Sequence, residues 1–230
     1  MCGRYALYSD INQIKSHFPI DRVALVEATP SYNVAPTQEV LAVIRQEGLN
    51  ILDKMHWGLV PFWAKDTKIG SKMINARQET VSSKPSFREA FKKRRCLIPA
   101  DGFYEWYGTK GQKQPMFITL PGGKPFAFAG LWETWQDKAE PESVYRSCTI
   151  ITREAVGTLR KIHDRMPLIL APEAYAAWME PGKDGGEPLL DILSLGSETD
   201  FSFYPVSKQV NAVRNNGPDN IEPVEVEVGI

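Results

Sequence analysis

The chain begins MCGRYAL, with a cysteine directly after the initiator methionine. Amino-terminal methionine is commonly removed when the next side chain is small, and cysteine is small enough. Removal would leave Cys2 with a free α-amine and a β-thiol on adjacent carbon atoms. Such a 1,2-aminothiol can carry out chemistry that an internal cysteine cannot. The alternative is that position 2 belongs to a frayed terminus without a role, as is common for chain ends.

Two other segments carry side chains suited to proton transfer. Glu105 lies between two aromatic residues in ADGFYEW, and desolvation beside aromatic walls raises a carboxyl pKa toward neutrality. The alternative for Glu105 is a strand position that faces water. His163 lies in IHDRMPLIL, in a turn that leads into a predicted buried strand. A lone histidine is more often structural, but site residues favour loops that rigid elements hold in place.

Two further groups of residues could serve binding. The segment INARQET places Asn75 and Arg77 two residues apart, and if it is extended their side chains lie on the same side. The run KPSFREAFKKRR (84–95) holds six basic residues and one acid, although the net charge of the chain is −1. Such a run is compatible with DNA binding, but it is more often a solvated helix face.

These residues must be positioned by a fold built mostly from short strands. Strand-like segments broken by tight turns are QEVLAVIR, ILDKMHW, CLIPADGFYEW, MFITL, PFAFAGLW, RSCTIIT, RMPLIL and FSFYPV. The first two predict a hairpin across Gly48 and Asn50. The whole pattern predicts an α+β fold with a curved, barrel-like, mainly antiparallel sheet and short flanking helices. We expect a single domain over residues 1–230, with a loose tail from about residue 221.

Two helices are predicted outside the sheet. Ser86 and Glu89 form a capping-box pattern for a short helix, with Phe87 and Phe91 one turn apart on its inner face. The segment PEAYAAWME predicts a second helix, with its proline in the first turn. The segment EPGKDGGEP (180–188) is predicted to be a loop, with helical sequence after it.

Composition and spacing argue against several classes of protein. No apolar run approaches the roughly 20 residues that span a bilayer, and the first residues are too polar for a signal peptide. The three cysteines are far apart without C-x-x-C spacing, and the three histidines are scattered, which argues against a disulfide scaffold and a metal site. We therefore expect an intracellular protein with no metal, no cofactor and no membrane partner.

Seven segments together resemble one protein family. They are MCGRY, YNVAPT, WGLVPFW, INAR, IPADGFYEW, IHDRMP and VSKQVN. From residue 2 to about residue 220, in order and without a large gap, the chain resembles the SRAP (SOS-response-associated peptidase) family of abasic-site DNA–protein crosslinkers. Each segment alone would be a weak signal, whereas the combination is specific.

The resemblance implies four catalytic residues and four DNA contacts. The catalytic set is a covalent nucleophile followed by its three partners: Cys2, Asn75, Glu105 and His163. The DNA contacts are three arginines on the backbone and one aromatic residue that wedges against bases: Arg4, Arg77, Arg165 and Trp63. One departure is Lys84-Pro85-Ser86 ahead of the predicted helix, where family members carry a basic residue, and no phosphate contact is assigned there.

The function that the resemblance implies is abasic-site processing. The terminal cysteine would bond covalently, as a thiazolidine, to the ring-opened aldehyde of an abasic site in single-stranded DNA and so shield the lesion. This lyase-like chemistry requires removal of Met1, by the protein itself or by an aminopeptidase. The implied setting is the cytoplasm, with the protein on the nucleoid when bound to DNA, and nothing in the sequence demands more than a monomer.

Two other functions stay open from the residues. In one, the Cys2 thiolate attacks an amide, as in an amino-terminal-nucleophile hydrolase or autopeptidase, which requires an oxyanion site beside it. In the other, the chain is a non-catalytic module that binds single-stranded DNA through Arg77, Arg165 and the tryptophans.

Overall fold

The computed structural model describes residues 2–25, 27–109, 111–140, 142–180, 187–195, 197 and 199–226. The strands are β1 (Tyr5–Leu7), β2 (Arg22–Val23), β3 (Ser31–Val34), β4 (Glu39–Gln46), β5 (Leu49–Trp57), β6 (Asn75–Arg77), β7 (Arg95–Ala100), β8 (Gly102–Tyr107), β9 (Gln114–Thr119), β10 (Phe126–Gln136), β11 (Val144–Glu154), β12 (Arg165–Pro167), β13 (Ile169–Leu170) and β14 (Ser202–Pro205). The α-helices are α1 (Ile11–His17), α2 (Arg88–Lys93), α3 (Tyr175–Met179) and α4 (Glu187–Leu195). Short 3₁₀ helices cover Thr67–Lys72, Gly157–Lys161, Pro172–Ala174, Lys208–Asn211 and Pro218–Ile221.

The larger of two sheets closes into a five-stranded barrel. Its order is β12-β11-β10-β7-β4-β5-β2, and β11 also pairs in parallel with β5, where Ser147 faces His56 and Cys148 faces Trp57. This last pairing joins the two ends of the run β5-β4-β7-β10-β11 and removes their free edges. The strand pairs are mostly antiparallel. The predicted α+β fold with a barrel-like sheet is confirmed.

The smaller sheet, in the order β14-β9-β8-β1-β3, packs on the barrel through β1. The Tyr5 ring is fully buried and meets Trp57 of β5 and Phe128 of β10 edge-on, at centroid distances of 5.4 and 5.5 Å. Aromatic rings in this arrangement combine a large buried apolar area with favourable quadrupole contacts. The chain start is thereby anchored against two strands of the barrel.

The predicted hairpin is confirmed as β4 and β5. Its turn is formed by Glu47 and Gly48, whereas the sequence placed it across Gly48 and Asn50. Glu47 and Gly48 both have positive φ angles, 53° and 80°, as the two central residues of a type I′ turn require. Asn50 is already part of β5, opposite Arg45. The side chain of Asn50 accepts a hydrogen bond from Arg45 at 3.3 Å.

The predicted capping box at Ser86 and Glu89 is wrong. Helix α2 begins at Arg88, and Phe87 at its N-cap makes no side-chain capping bond. The reason is a turn that precedes the helix, in which the N–H groups of Phe87 and Arg88 both donate to the carbonyl of Lys84. Phe87 and Phe91 are both buried, as expected.

The second helix follows the prediction, but the predicted loop 180–188 ends earlier than expected, because Glu187 and Pro188 already belong to α4. Pro172 opens a 3₁₀ turn that runs into α3, and α4 follows the loop. Most of the predicted loop, residues 181–186, lies outside the described residues. At the other end, the carbonyl of Ile221 accepts from the Tyr204 hydroxyl at 2.9 Å, and the Val224 N–H donates to Pro205 at 3.0 Å.

Two cations of the basic run are structural. Arg94 forms an ion pair with Glu133 at 2.6 Å. Arg95 is 3% exposed, and its guanidinium donates to four carbonyls at the ends of α2 and α3, those of Phe91, Lys92, Trp178 and Glu180. These carbonyls are left without partners when a helix ends, so a buried arginine satisfies them. Within the described ranges, no helix is long and apolar enough to cross a membrane.

Candidate active site

Cys2 is fully buried at the point where β1 begins, and Asn75 fixes its backbone. The Nδ2 group of Asn75 donates to the Cys2 carbonyl at 2.7 Å. Asn75 reaches this position because β6 runs parallel to β11, with Asn75 beside Ile150. Among the described residues, the Asn75 Oδ1 atom is buried and has no hydrogen-bond partner. An acceptor beside Cys2 is therefore available to a bound molecule.

Glu105 reaches the same place from β8. The Tyr104 N–H donates to the Arg4 carbonyl at 3.0 Å, so the antiparallel register brings the next residue, Glu105, toward the chain start. Glu105 is 4% exposed, and burial raises the pKa of its carboxyl to about 7. The expectation of a desolvated carboxyl is confirmed, and the alternative of a strand position facing water is wrong.

The sulfur of Cys2 lies within electrostatic reach of that carboxylate. Burial raises the pKa of the Cys2 thiol far above its usual range, and the charge of Glu105 raises it further. A hydrogen bond from the Arg4 N–H to the sulfur acts in the opposite direction. The thiol is therefore neutral at physiological pH and must lose its proton during any reaction.

His163 follows the 3₁₀ turn Gly157–Lys161 and precedes β12. Its Nδ1 atom lies 2.9 Å from the Arg165 N–H, which can only donate, and 2.7 Å from Asp164 Oδ1. Burial lowers the pKa of His163 and so favours the neutral ring, whereas the charge of Asp164 acts in the opposite direction. The contact with Asp164 becomes an ion pair when the ring is protonated.

Lys113 acts electrostatically on both Glu105 and His163, and sequence reasoning missed it. Desolvation is the largest influence on both groups, and the Lys113 charge contributes to lowering the pKa of both. Lys113 is an exposed lysine just before β9, and nothing in its local sequence marks it.

The four predicted DNA contacts occupy different surroundings. Arg4 is half-buried, and its Nη1 atom donates to Asn33 Oδ1 at 2.6 Å and to the Val210 carbonyl at 2.7 Å. The Asn33 amide in turn donates to the carbonyls of three residues in the C-terminal segment: Val210, Ala212 and Asn215. The orientation of Arg4 is thereby tied to a segment about two hundred residues away.

Arg77 and Arg165 line one open cleft of about 490 Å³, together with Arg160, Glu154 and Asp164. The Arg77 side chain is exposed at the end of β6. The side chain of Arg165 is only 12% exposed and forms a two-point ion pair with Glu79, which sequence reasoning missed.

Trp63 lies on a separate surface, in the loop after β5. The side chains of Trp63 and its neighbour Phe62 are 49% and 57% exposed. With Trp135 they line a cleft of about 390 Å³. The loop is fixed at its base, because Gly58 donates to the Cys148 carbonyl at 2.8 Å and Val60 donates to the Ser147 hydroxyl at 2.8 Å.

The site thus combines a buried thiol, an amide that holds its backbone, and a carboxyl that exchanges protons near pH 7. Within the described ranges, no group of three or more histidine, cysteine, aspartate or glutamate side chains could hold a metal ion. Acid–base chemistry around a cysteine is what these side chains can perform.

Comparison with known proteins shows the class of protein to which this fold and its Cys2 site belong. The family model described as SOS response associated peptidase (SRAP) matches residues 1–213. The chain belongs to the SRAP family, which confirms the resemblance seen in the sequence.

Individual relatives cover nearly the whole chain. The chain is 46% identical over 224 residues to the abasic site processing protein YoqW of Bacillus subtilis, covering 96% of this chain and 99% of that one. It is 33% identical over 234 residues to the abasic site processing protein YedK of Escherichia coli, covering 97% and 100%. A crystal structure of a protein from Bacteroides thetaiotaomicron has the same fold, with a TM-score of 0.81 and 23% identity over 97% of this chain and all of that one.

Proposed function

We propose that this protein processes abasic sites by bonding Cys2 covalently to the ring-opened aldehyde in single-stranded DNA, as a thiazolidine. The observation that carries the proposal is the meeting of Cys2 with Asn75 and with a Glu105 carboxyl whose pKa is about 7. The names of the relatives, abasic site processing proteins, supply the substrate class. The proposal includes removal of Met1, so that the α-amine of Cys2 is free.

The reaction needs both nucleophiles of a terminal cysteine. The α-amine adds to the aldehyde, and loss of one water gives an imine. The thiol of Cys2 then adds to the imine carbon while the nitrogen gains a proton, which closes a five-membered ring. An open imine acidifies the neighbouring carbon and permits β-elimination with strand cleavage, so ring closure protects the strand. The second step is intramolecular, and well-oriented steps reach effective concentrations on the order of 10⁵ M or more.

Glu105 is the proton-transfer group in this proposal. Near pH 7 it is present in both forms, so it can take a proton from the amine or thiol and return one to the departing oxygen. The raised pKa of the Cys2 thiol fits such a transfer, because a buried thiol reacts most readily as its proton moves to a neighbouring base.

His163 and Asn75 act on the sugar. The protonated ring of His163, paired with Asp164, can give its proton to the ring oxygen as that oxygen departs, and the ring is then left neutral. The buried Oδ1 of Asn75 can accept a hydrogen bond from the opened sugar without competing for protons.

The DNA strand is held by charge and by stacking. Arg4, Arg77 and Arg165 would contact backbone phosphates, which fix the register without reading sequence. Trp63, with half its surface exposed, would stack on a base beside the lesion. We propose that the protein binds and crosslinks DNA as a monomer. It would do so in the cytoplasm, on the nucleoid of the cell in which it is made.

Intact-mass measurement after incubation with abasic single-stranded DNA tests the proposal. We expect the mass of a chain without Met1, plus the DNA, minus one water, in an adduct that survives denaturation. The Cys2→Ala variant should fold, bind the same DNA and give no such adduct. An equally stable adduct from Cys2→Ala would contradict the assignment, and binding without any adduct from the wild type would favour a non-catalytic module.

The family description retains the word peptidase, which favours an amide-cleaving activity as a second candidate. In that case Cys2 would attack a peptide bond, beginning with the one after Met1. Purified protein that still carries Met1 would then lose it on incubation without any aminopeptidase, whereas its Cys2→Ala variant would not. The same intact-mass measurement reports this difference.

A further inference from the structure

Glu79 occupies the outward side of the Arg165 guanidinium. The Nη1 atom of Arg165 donates to Glu79 Oε1 at 2.6 Å, and Nη2 donates to Oε2 at 3.1 Å. On the inward side, Nη2 donates to the Thr152 carbonyl at 2.8 Å. The two carboxylate oxygens therefore present to Arg165 the same planar pair of acceptors that a phosphate group presents.

The two partners of Arg165 differ in their freedom to move. Thr152 is fully buried, and it is fixed in β11 between β6 and β12. The Glu79 side chain is 47% exposed and lies in the turn region that follows β6. A competing anion can therefore replace Glu79 while the Thr152 carbonyl keeps the guanidinium in place.

We propose that Glu79 occupies the position on Arg165 that a DNA phosphate would take. The incoming DNA backbone displaces Glu79, and this competition lowers the affinity of the protein for DNA. This inference rests on the proposed function, because it takes DNA as the ligand of the cleft. It adds a residue that sets how strongly the protein holds any strand, damaged or not.

The charge balance of the cleft supports an exchange of partners. Its three cations, Arg77, Arg160 and Arg165, are matched by Glu154 and Asp164 in the lining and by Glu79 at its edge. Arg77 also acts on Glu79, since its charge adds to the hydrogen bond from Arg165 in lowering the pKa of the Glu79 carboxyl. A phosphate would meet a neutral surface unless Glu79 moves aside. Its displacement leaves one net positive charge where the strand must lie.

The test is binding of undamaged single-stranded DNA by Glu79→Gln, measured by fluorescence anisotropy at several salt concentrations. Glutamine keeps the shape and one acceptor for Arg165 but removes the charge that competes with phosphate. We expect about two- to fivefold tighter binding, the range that partly exposed ion pairs allow, with a salt dependence at least as steep as in the wild type.

Two controls separate exchange from general electrostatics. Glu154→Gln removes an equal charge from the same cleft, and it should change affinity less than Glu79→Gln does. In an Arg165→Ala background, Glu79→Gln should have no effect, because the exchange needs both partners. Equal effects of the two glutamine variants, or a gain that persists without Arg165, would overturn the proposal.

The opposite outcome is equally informative. Weaker binding by Glu79→Gln would show that Glu79 braces Arg165 and does not compete with DNA, which overturns the inference. Crosslinking of abasic DNA by the wild type, scored separately on a denaturing gel, would be untouched by that result. Absence of both binding and crosslinking in the wild type would instead overturn the proposed function together with the inference.

Discussion

Glu105 and Arg165 are both largely buried, yet their surroundings have opposite effects on the charged form. The surroundings of Glu105 disfavour its carboxylate, whereas those of Arg165 compensate its positive charge. At Glu105, desolvation outweighs the influences that lower the pKa, and the pKa rises to about 7. At Arg165, the Glu79 carboxylate at 2.6 Å and the Thr152 carbonyl at 2.8 Å compensate the buried cation. The first arrangement makes a group that exchanges protons, whereas the second makes a permanent charge that can only exchange partners. On the proposed function, we therefore expect reaction and binding to be separable in this molecule.

The largest effect is expected from Cys2→Ser, which alters the reaction and leaves the binding groups intact. Serine keeps the terminal amine but lacks the thiol, so the imine should form and fail to become a stable ring. We expect complete loss of the denaturation-resistant adduct, an imine that borohydride traps, and more strand cleavage by β-elimination. A labelled oligonucleotide on a denaturing gel reports all three. A stable adduct without borohydride would show that the thiol is not the second nucleophile.

Glu105→Gln should slow crosslinking by about 10²- to 10⁴-fold, the usual contribution of a positioned acid–base group. The same thiazolidine should still form at long times, because the amide keeps the shape and loses only the titration. In the wild type, a group with a pKa of about 7 should give an inflection near that pH in the single-turnover rate. Glu39→Gln, on exposed β4 surface, serves as the control. An unchanged rate profile from pH 5 to 8 would exclude Glu105 from the mechanism.

His163→Ala is expected to act on rate alone, by about 10²-fold, because the protonated imidazole supplies a proton to the opening sugar. Affinity for undamaged DNA should change less than twofold. By microscopic reversibility, reversal of the crosslink should slow by the same factor. His17→Ala on the exposed surface of α1 gives the matched control. A loss of DNA affinity equal to the loss of rate would make His163 a binding residue.

The burial of Glu105 should also affect the free energy of unfolding, although less than it affects the reaction rate. The pKa of Glu105 is raised in the folded state, so between about pH 4.5 and pH 7 the folded chain binds more protons than the unfolded chain. The free energy of unfolding therefore falls as pH rises through this window. Glu105→Gln removes that cost and should stabilise the protein at pH 8 by roughly 1 to 3 kcal/mol, with little effect at pH 4. Urea unfolding at the two pH values checks this, and an equal change at both would place the effect elsewhere.

Arg77→Ala should give the smallest change, and it should affect binding only. Loss of one phosphate contact is expected to weaken binding to all sequences and to reduce the salt slope by about one. The crosslinking rate of the bound complex should stay the same. Arg22→Ala, an exposed cation on β2, should leave the slope unchanged. An unchanged slope for Arg77→Ala would move the DNA track elsewhere, first to the basic residues of α2.

The sequence predicted most of what depends on local pattern. Short apolar segments on either side of Gly48 predicted β4 and β5, and the aromatic neighbours of Glu105 predicted its desolvation. The capping box failed because a turn centred before Phe87 moved the start of α2 past Ser86. Patterns of neighbouring residues could not reveal that the carbonyl of Lys84 would bind both N–H groups.

Contacts between distant segments were outside the reach of sequence reasoning. Glu79 and Arg165 are 86 residues apart, and Arg4 and Val210 are 206 apart. The first pair depends on the pairing of β6 and β12 with β11 in the larger sheet, and the second joins residues near β1 and β14, the first and last described strands of the chain, in the smaller sheet. For the same reason the basic run was ambiguous, since only the packing of α3 shows that Arg95 serves helix ends.

The closure of the barrel also sets an order of events during synthesis. Cys148 follows Trp57 by about ninety residues, so the barrel cannot close until β11 has been synthesised and can pair with β5. Ribosomes add about 5 to 20 residues per second, which makes the delay roughly 5 to 20 seconds. Asn75 reaches Cys2 only through β6, which itself pairs with β11. The chain start is therefore made first and acquires its contact with Asn75 only when about two-thirds of the polypeptide has left the ribosome.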